Sequence, residues 1–144
     1  MSYPVQDLRG FLAGQWRIAR RIRDARSGIA GRLTGQAIFT PSADGLLHDE
    51  NGDLRFGAHA GPTTQRYRLT IDAPSQAVVH HADGSMFHLL DLASGRADIL
   101  HRCGADIYRG RYRVLSGVHF SVSWHVTGPR KQYRLATWYR RVEA

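Results

Sequence analysis

Val118-His119-Phe120-Ser121-Val122-Ser123-Trp124-His125-Val126-Thr127 is the stretch that decides the fold. Every second residue from Val118 to Val126 is apolar, and every residue between them is polar. A side-chain period of two puts the apolar set on one face of a β-strand and the polar set on the other. Ser116-Gly117 before the run and Gly128-Pro129 after it are turn signals.

The same grammar repeats along the chain. Towards the N-terminus, Asp106–Leu115 sets Tyr108, Gly110, Tyr112 and Val114 against Ile107, Arg109, Arg111 and Arg113. Cys103-Gly104 separates it from Arg96–Arg102, and Ser94-Gly95 separates that run from Ser85–Leu92. Asp83-Gly84 is a tight-hairpin signal after Gln76–His81. Thr63–Ile71 follows His59–Pro62, which reads as a loop, and Leu46–Phe56 follows Asp44-Gly45, with Gly52 as a bulge candidate. Ser27–Thr40 places Gly31 and Gly35 on the face of Ile29, Leu33, Ala37 and Phe39, where small residues permit bending or close packing. Gln15–Arg23 is the first strand and Lys131–Val142 the last. Only Pro4–Leu12 departs from this pattern, with Val5, Leu8, Phe11 and Leu12 at helical spacing before Gly14.

About ten short strands with hairpin-length connections imply antiparallel neighbours. Closing such a sheet removes its exposed edges. The expected fold is therefore all-β: a single antiparallel up-and-down β-barrel, residues 1–144, with a short N-terminal helix at one end. Trp16, Ile18, Leu33, Phe39, Tyr67, Leu69, Tyr108, Tyr112, Phe120, Val122 and Trp124 are expected inside.

Composition narrows the class. One cysteine in 144 residues excludes a disulfide framework and a multi-cysteine zinc module. No apolar run approaches a membrane span, and the N-terminus lacks the apolar core of a secretory signal, so a cytoplasmic protein is expected. The net charge of +8 comes from 20 Lys+Arg, of which only Lys131 is lysine. The arginines are dispersed in sequence and belong to no recognised nucleic-acid module, which argues against a nucleic-acid partner.

Gly14-Gln15-Trp16, after a short helix and opening the first strand, resembles the Gly-x-Trp element of lipocalin-like (calycin) barrels. That resemblance implies that Trp16 closes one barrel end under a basic residue of the last strand, Arg140 or Arg141, with Arg140 taken as the partner. Five segments are similar to domain-of-unknown-function family 6314 (DUF6314): Phe11–Trp16, Phe39–Pro41, Asp44–Leu47, His101–Tyr108 and Trp124–Tyr133. The resemblance implies a calycin-like barrel and assigns no activity.

Few residues break the pattern in a way that suggests chemistry. Arg20 is a charge on the face of Trp16, Ile18 and Ile22. It either binds a ligand carboxylate or phosphate, pairs with an internal acid such as Glu50 or Asp91, or reaches water at a barrel mouth. His101-x-Cys103-Gly104-x-Asp106-x-Tyr108 forms a hairpin in which Asp106 either orients His101 for catalysis or serves the turn. Arg130 and Lys131, on the last turn, stand where anions would be attracted. No lipase-type serine elbow, dinucleotide fingerprint, zincin motif or metal-ligand cluster is present, so no catalytic or metal residue is assigned.

The expectation is a binder of a small, partly apolar molecule, neutral or anionic, held inside the barrel, with Arg20, His101, Asp106, Tyr108, Tyr112, Trp124, Arg130, Lys131 and Tyr133 as ligand-binding candidates. Two alternatives stand beside it. One is a small isomerase- or hydrolase-like enzyme using His101, Asp106 and Tyr108; the other is a haem-binding barrel of the nitrobindin type, in which no motif selects the ligating histidine. The cofactor is otherwise unknown, and a homodimer is allowed but not required.

Overall fold

The computed structural model describes residues 2–143. A five-residue helix, α1 (Leu8–Leu12), leads into β1 (Gly14–Asp24), β2 (Ala30–Pro41), β3 (Gly45–Phe56), β4 (His59–Ala73) and β5 (Gln76–His81). Then come β6 (Met86–Asp91), β7 (Arg96–Cys103), β8 (Asp106–Ser116), β9 (His119–Thr127) and β10 (Gln132–Arg141). All ladders are antiparallel, in the order β6-β5-β4-β3-β2-β1-β10-β9-β8-β7. The ten-strand up-and-down architecture is the one the turn spacing demanded, and every residue expected inside belongs to the core or packs on it.

The barrel is nearly, not fully, closed. The first and last strands pair along nine residues, from Trp16 opposite Arg141 to Asp24 opposite Tyr133. The seam falls mid-chain, between β6 and β7, which share no ladder. Side chains span it instead: the Phe87 and His101 rings meet edge-on at 5.3 Å, and His88 faces Tyr112 at 5.8 Å. At one end of the seam the N-terminal segment acts as a strap, with Tyr3 N donating to Val114 O and Val5 N to Leu92 O. Full edge removal was therefore the wrong expectation. Between β6 and β7, rings with a backbone strap do the work of a ladder.

Two further sequence readings are corrected. His59–Pro62 is not a loop but the start of β4, with Pro62 opposite Asp53. β5 begins to pair only from Tyr67, so this half of β4 has a free side on which a missing N–H costs nothing. Gly52 is not a bulge, because the β2–β3 register runs through it unbroken, with Gly35 opposite. The two glycines mark a close approach: a Cβ on Gly35 would lie 2.0 Å from Asn51 O.

Helix α1 plugs one end. Asp7 caps it by accepting from Gly10 N, and Leu8 and Leu12 are buried. Gly14 takes the positive φ of 118° that turns the chain from helix into β1. Trp16, fully buried, donates from Nε1 to Leu12 O (2.8 Å) and packs edge-on against Phe120. The basic residue over it is Arg141, not Arg140. The Arg141 guanidinium lies 4.4 Å from the indole centroid and donates to Ala13 O and to Phe11 O. Strand parity explains the correction: Arg141 pairs with Trp16 and faces inward, whereas Arg140 pairs with Arg17 and His119 and faces out.

Candidate functional site

Inside the barrel lies a cavity of about 310 Å³, running from Leu12 at the plugged end to Tyr108 and Tyr133 towards the other. Its walls are mostly rings. Phe39 stacks on His48 at 4.1 Å, Phe120 on Tyr139 at 4.3 Å, and Phe87 on both His81 (4.5 Å) and Trp124 (4.9 Å). Gly110 makes room for the indole: a Cβ there would fall 2.6 Å from two Trp124 ring carbons.

One wall is polar. Arg20 reaches across β2 to Glu50 on β3, with Nη2 donating to Oε1 at 2.6 Å, while Nε donates to Thr137 Oγ1 on the other neighbouring strand at 2.7 Å. Both ions are largely withdrawn from solvent, with side-chain exposures of 15% and 7%. Of the three sequence readings of Arg20, pairing with Glu50 is the one realised; Asp91 instead accepts from Gln76. The pair leaves this wall formally neutral, so the cavity has no need of an anionic ligand. Among the described residues, Nη1 of Arg20 has no acceptor in the protein, and Arg20 lines the cavity.

His48 completes the wall. Its Nε2 lies 3.4 Å from Glu50 Oε2 but outside hydrogen-bond geometry, and it is the one buried side-chain polar atom without a partner among the described residues. Desolvation, reinforced by the Arg20 charge against the opposing pull of Glu50, lowers its pKa to about 4, so the ring is neutral. His88 is also lowered to about 4, chiefly by burial; Nδ1 bonds Leu89 O at 2.9 Å, and Nε2 faces the Tyr112 hydroxyl at 3.4 Å. Burial likewise raises the phenols around them, Tyr67 to about 12 and Tyr112 and Tyr139 well above their ordinary range.

At the unplugged end, Lys131 Nζ bonds the Tyr108 hydroxyl (3.1 Å) and pairs with Asp106 (3.3 Å). Asp106 packs against Gly128, where a Cβ would lie 1.9 Å from Oδ1. This is where the hairpin candidates part company. His101 stands opposite Tyr108 and packs on Phe87, and among the described residues no hydrogen bond joins it to Asp106. Tyr108, Tyr112, Trp124 and Tyr133 line the cavity with Arg20; Lys131 and Asp106 sit beside its mouth, and Arg130 is exposed on the turn.

His48, Phe87, His88, Thr137 and Tyr139 were missed as site residues. On β3 the signal was present: Leu46, Leu54 and Phe56 set an inward parity that includes His48 and Glu50. On β6 it was not. The register shift between Val79/His80 gives β6 one extra residue, so the consecutive residues Phe87 and His88 are both buried, which alternation does not anticipate.

Neither buried imidazole, His48 nor His88, offers haem an open face. A ligating imidazole needs a clear plane before its free nitrogen, and the space before His88 Nε2 holds the Tyr112 hydroxyl, with Phe87 and Trp124 rings 4.8 and 5.4 Å away. His48 Nε2 faces Glu50. No group of three or more His, Cys, Asp or Glu side chains able to hold a metal occurs among the described residues.

The profile of the family of unknown function DUF6314 matches residues 12–141. The chain belongs to that family. No curated protein matches this DUF6314 chain. Among solved structures, an S-type phycobiliprotein lyase from Guillardia theta is similar at 8% identity and a TM-score of 0.63, covering 94% of this chain and 90% of that one. A protein of unknown function of the DUF3598 family from Nostoc punctiforme PCC 73102 is similar at 12% identity and a TM-score of 0.64, over 98% of this chain but 51% of that one. Rv2717c from M. tuberculosis is similar at 14% identity and a TM-score of 0.51, covering 92% and 94%. At these identities the likenesses establish the barrel and nothing finer. No helix among the described residues of this DUF6314 member is long and apolar enough to cross a membrane.

Proposed function

We propose that this barrel binds a small, flat, largely apolar molecule that carries a hydrogen-bond acceptor, and holds it in the interior cavity. The carrying observation is a ring-walled space of about 310 Å³ with one polar wall, where a guanidinium already neutralised by Glu50 retains a donor without a protein acceptor. That size falls at the lower end of small-molecule pockets, and a few convergent polar groups in an apolar lining are their usual composition. Aromatic faces hold a flat ligand by stacking, and the Arg20 donor orients it. The exposed free thiol of Cys103 supports a reducing, cytoplasmic setting.

The test is a thermal-shift screen of flat aromatic and conjugated molecules, haemin included, together with native mass spectrometry of freshly purified protein. A ligand at 100 times its Kd adds about 2.7 kcal/mol, or roughly 8 °C for a chain of this size. Val122→Trp, which fills the cavity, should abolish the shift. No shift across the screen and a native mass of the bare chain refute the proposal, as does a shift that survives Val122→Trp.

A further inference from the structure

We propose a second site on the outside of the barrel: a groove, its arginines on β1, β2, β8, β9 and β10 and its far edge on β7, that binds single-stranded nucleic acid. The groove has a volume of about 890 Å³, and six exposed arginines line it, Arg21, Arg23, Arg32, Arg109, Arg111 and Arg134, with Asp98 as its one acid among the described residues. In sequence these residues are scattered over more than a hundred positions; the strand register gathers them. One row across the sheet runs Arg32, Arg21, Ala136, Ser123, Arg111. The next, two residues along each strand, runs Arg23, Arg134, His125, Arg109.

These rows oppose the ordinary rule of sheet design. Like charges directly opposite one another destabilise a strand pair, yet Arg21 faces Arg32 and Arg23 faces Arg134. No acid on the outward face of the five strands offsets them: the only acids within these strands, Asp24 and Asp106, have inward parity. Asp98 of β7, opposite Arg111 at the end of the first row, lines the groove and is shared by Arg111 (3.6 Å) and Arg113 (3.2 Å). On β4, by contrast, Arg66 meets an acid of the neighbouring strand, Asp49, at 2.6 Å. Within the groove, His125 is held below its ordinary pKa by partial desolvation and then by Arg134 and Arg109, so the positive field is felt by the residue at its centre.

The shape and one aromatic select the polyanion. The floor between the arginine walls is built of small side chains, Ala136 and Ser123. From Arg32 on β2 to Arg111 on β8 is four interstrand steps, about 19 Å, and the two rows lie about 7 Å apart; that strip, narrow along the strands, follows one phosphate backbone. Trp138 stands next to Ala136 on the same outward face of β10, 39% exposed, with the Arg21 guanidinium 5.8 Å from its ring. An exposed indole beside a basic groove is a stacking platform for a base, which a sulfated polysaccharide or an anionic headgroup would not use.

Fluorescence anisotropy with labelled dT12 and rU12 over 20–300 mM NaCl tests this, with a heparin fragment as the charge-only competitor and the whole chain as the protein. Neutralising about four phosphates gives a slope of log K against log salt near −3. Arg23→Ser/Arg134→Ser should flatten that slope by about 1.4; Arg109→Ser, on the opposite wall, serves should the double variant fail to fold. Trp138→Ala should weaken binding about tenfold at every salt concentration while leaving the slope unchanged. Val122→Trp, which blocks the interior cavity, should leave oligonucleotide binding intact, so the two sites stand or fall separately. Absence of binding at 20 mM NaCl overturns the proposal. So does binding that ignores Trp138→Ala and is displaced by heparin in simple proportion to charge.

Discussion

Acid should unfold this barrel earlier than its surface charge suggests, because two buried histidines refuse protons. His48 and His88 both have pKa values of about 4 in the fold, against an ordinary value near 6.5. Above pH 6.5 the imidazoles are neutral in both states, and stability is unaffected. As pH falls below 6.5 the unfolded chain takes up protons that the folded chain does not accept until pH approaches 4, so stability is lost across that window. At pH 5 the loss is about 2 kcal/mol for each histidine, or about 4 kcal/mol together, a large part of the stability of an ordinary domain. In a thermal melt followed by circular dichroism it corresponds to a drop in Tm of roughly 10–15 °C between pH 7.5 and 5. His48→Phe keeps a ring against Phe39 and removes one titrating group; His88→Gln keeps a donor for Leu89 O and removes the other. Each variant should lose about half of the pH sensitivity, since carboxylates titrate alike in all the proteins compared. Equal Tm differences between the two pH values in wild type and both variants would rule out the buried histidines as the source of the acid sensitivity.

Three other outcomes are expected. Arg141→Ala removes the cation over Trp16 and the donors to Phe11 and Ala13, costing about 2–3 kcal/mol in urea unfolding, whereas Arg140→Ala should change stability by less than about 0.5 kcal/mol. Gly110→Ala pushes a methyl group into the Trp124 ring and should cost about 1–3 kcal/mol, with a changed tryptophan emission as the local readout. Cys103, exposed and unpaired, should react with a thiol reagent in the native protein as fast as in urea.

What was legible in the sequence was whatever alternation and turn chemistry control. Tyr108, Tyr112, Phe120, Val122 and Trp124 could be placed inside because period-two runs leave no freedom once one face is apolar. What escaped depends on events between strands. The inward position of both Phe87 and His88 follows from a bulge whose cause lies in the β5–β6 register. The choice of Arg141 over Arg140 turns on a one-residue parity in the β1–β10 ladder. The arginine rows are the clearest case: residues 21, 32, 111 and 134 show no cluster in the linear chain and become neighbours only when ten strands are set side by side. Conversely, His101 and Asp106 lie close in the chain, yet Asp106 pairs with Lys131 from the β9–β10 turn.

The Arg20–Glu50 pair bridges β1 and β3 inside the barrel. Burying two ions costs several kcal/mol each, and their attraction seldom returns more than that, so a matched apolar replacement usually folds as well or better. Stability alone therefore does not account for an ion pair set across three strands of a barrel whose remaining lining is mostly rings and aliphatic chains. Removing one partner should be severe: Glu50→Ala strands the guanidinium and should cost about 3–5 kcal/mol. Removing both, as Arg20→Met/Glu50→Leu, should return stability to within about 1–2 kcal/mol of wild type, or exceed it. If the pair is kept for the ligand, the double variant folds and melts normally but loses the ligand-induced shift, because no donor remains on that wall to orient an acceptor. A double variant that keeps the full shift would assign the pair to the fold alone; one that cannot fold would show that register across β1, β2 and β3 depends on it.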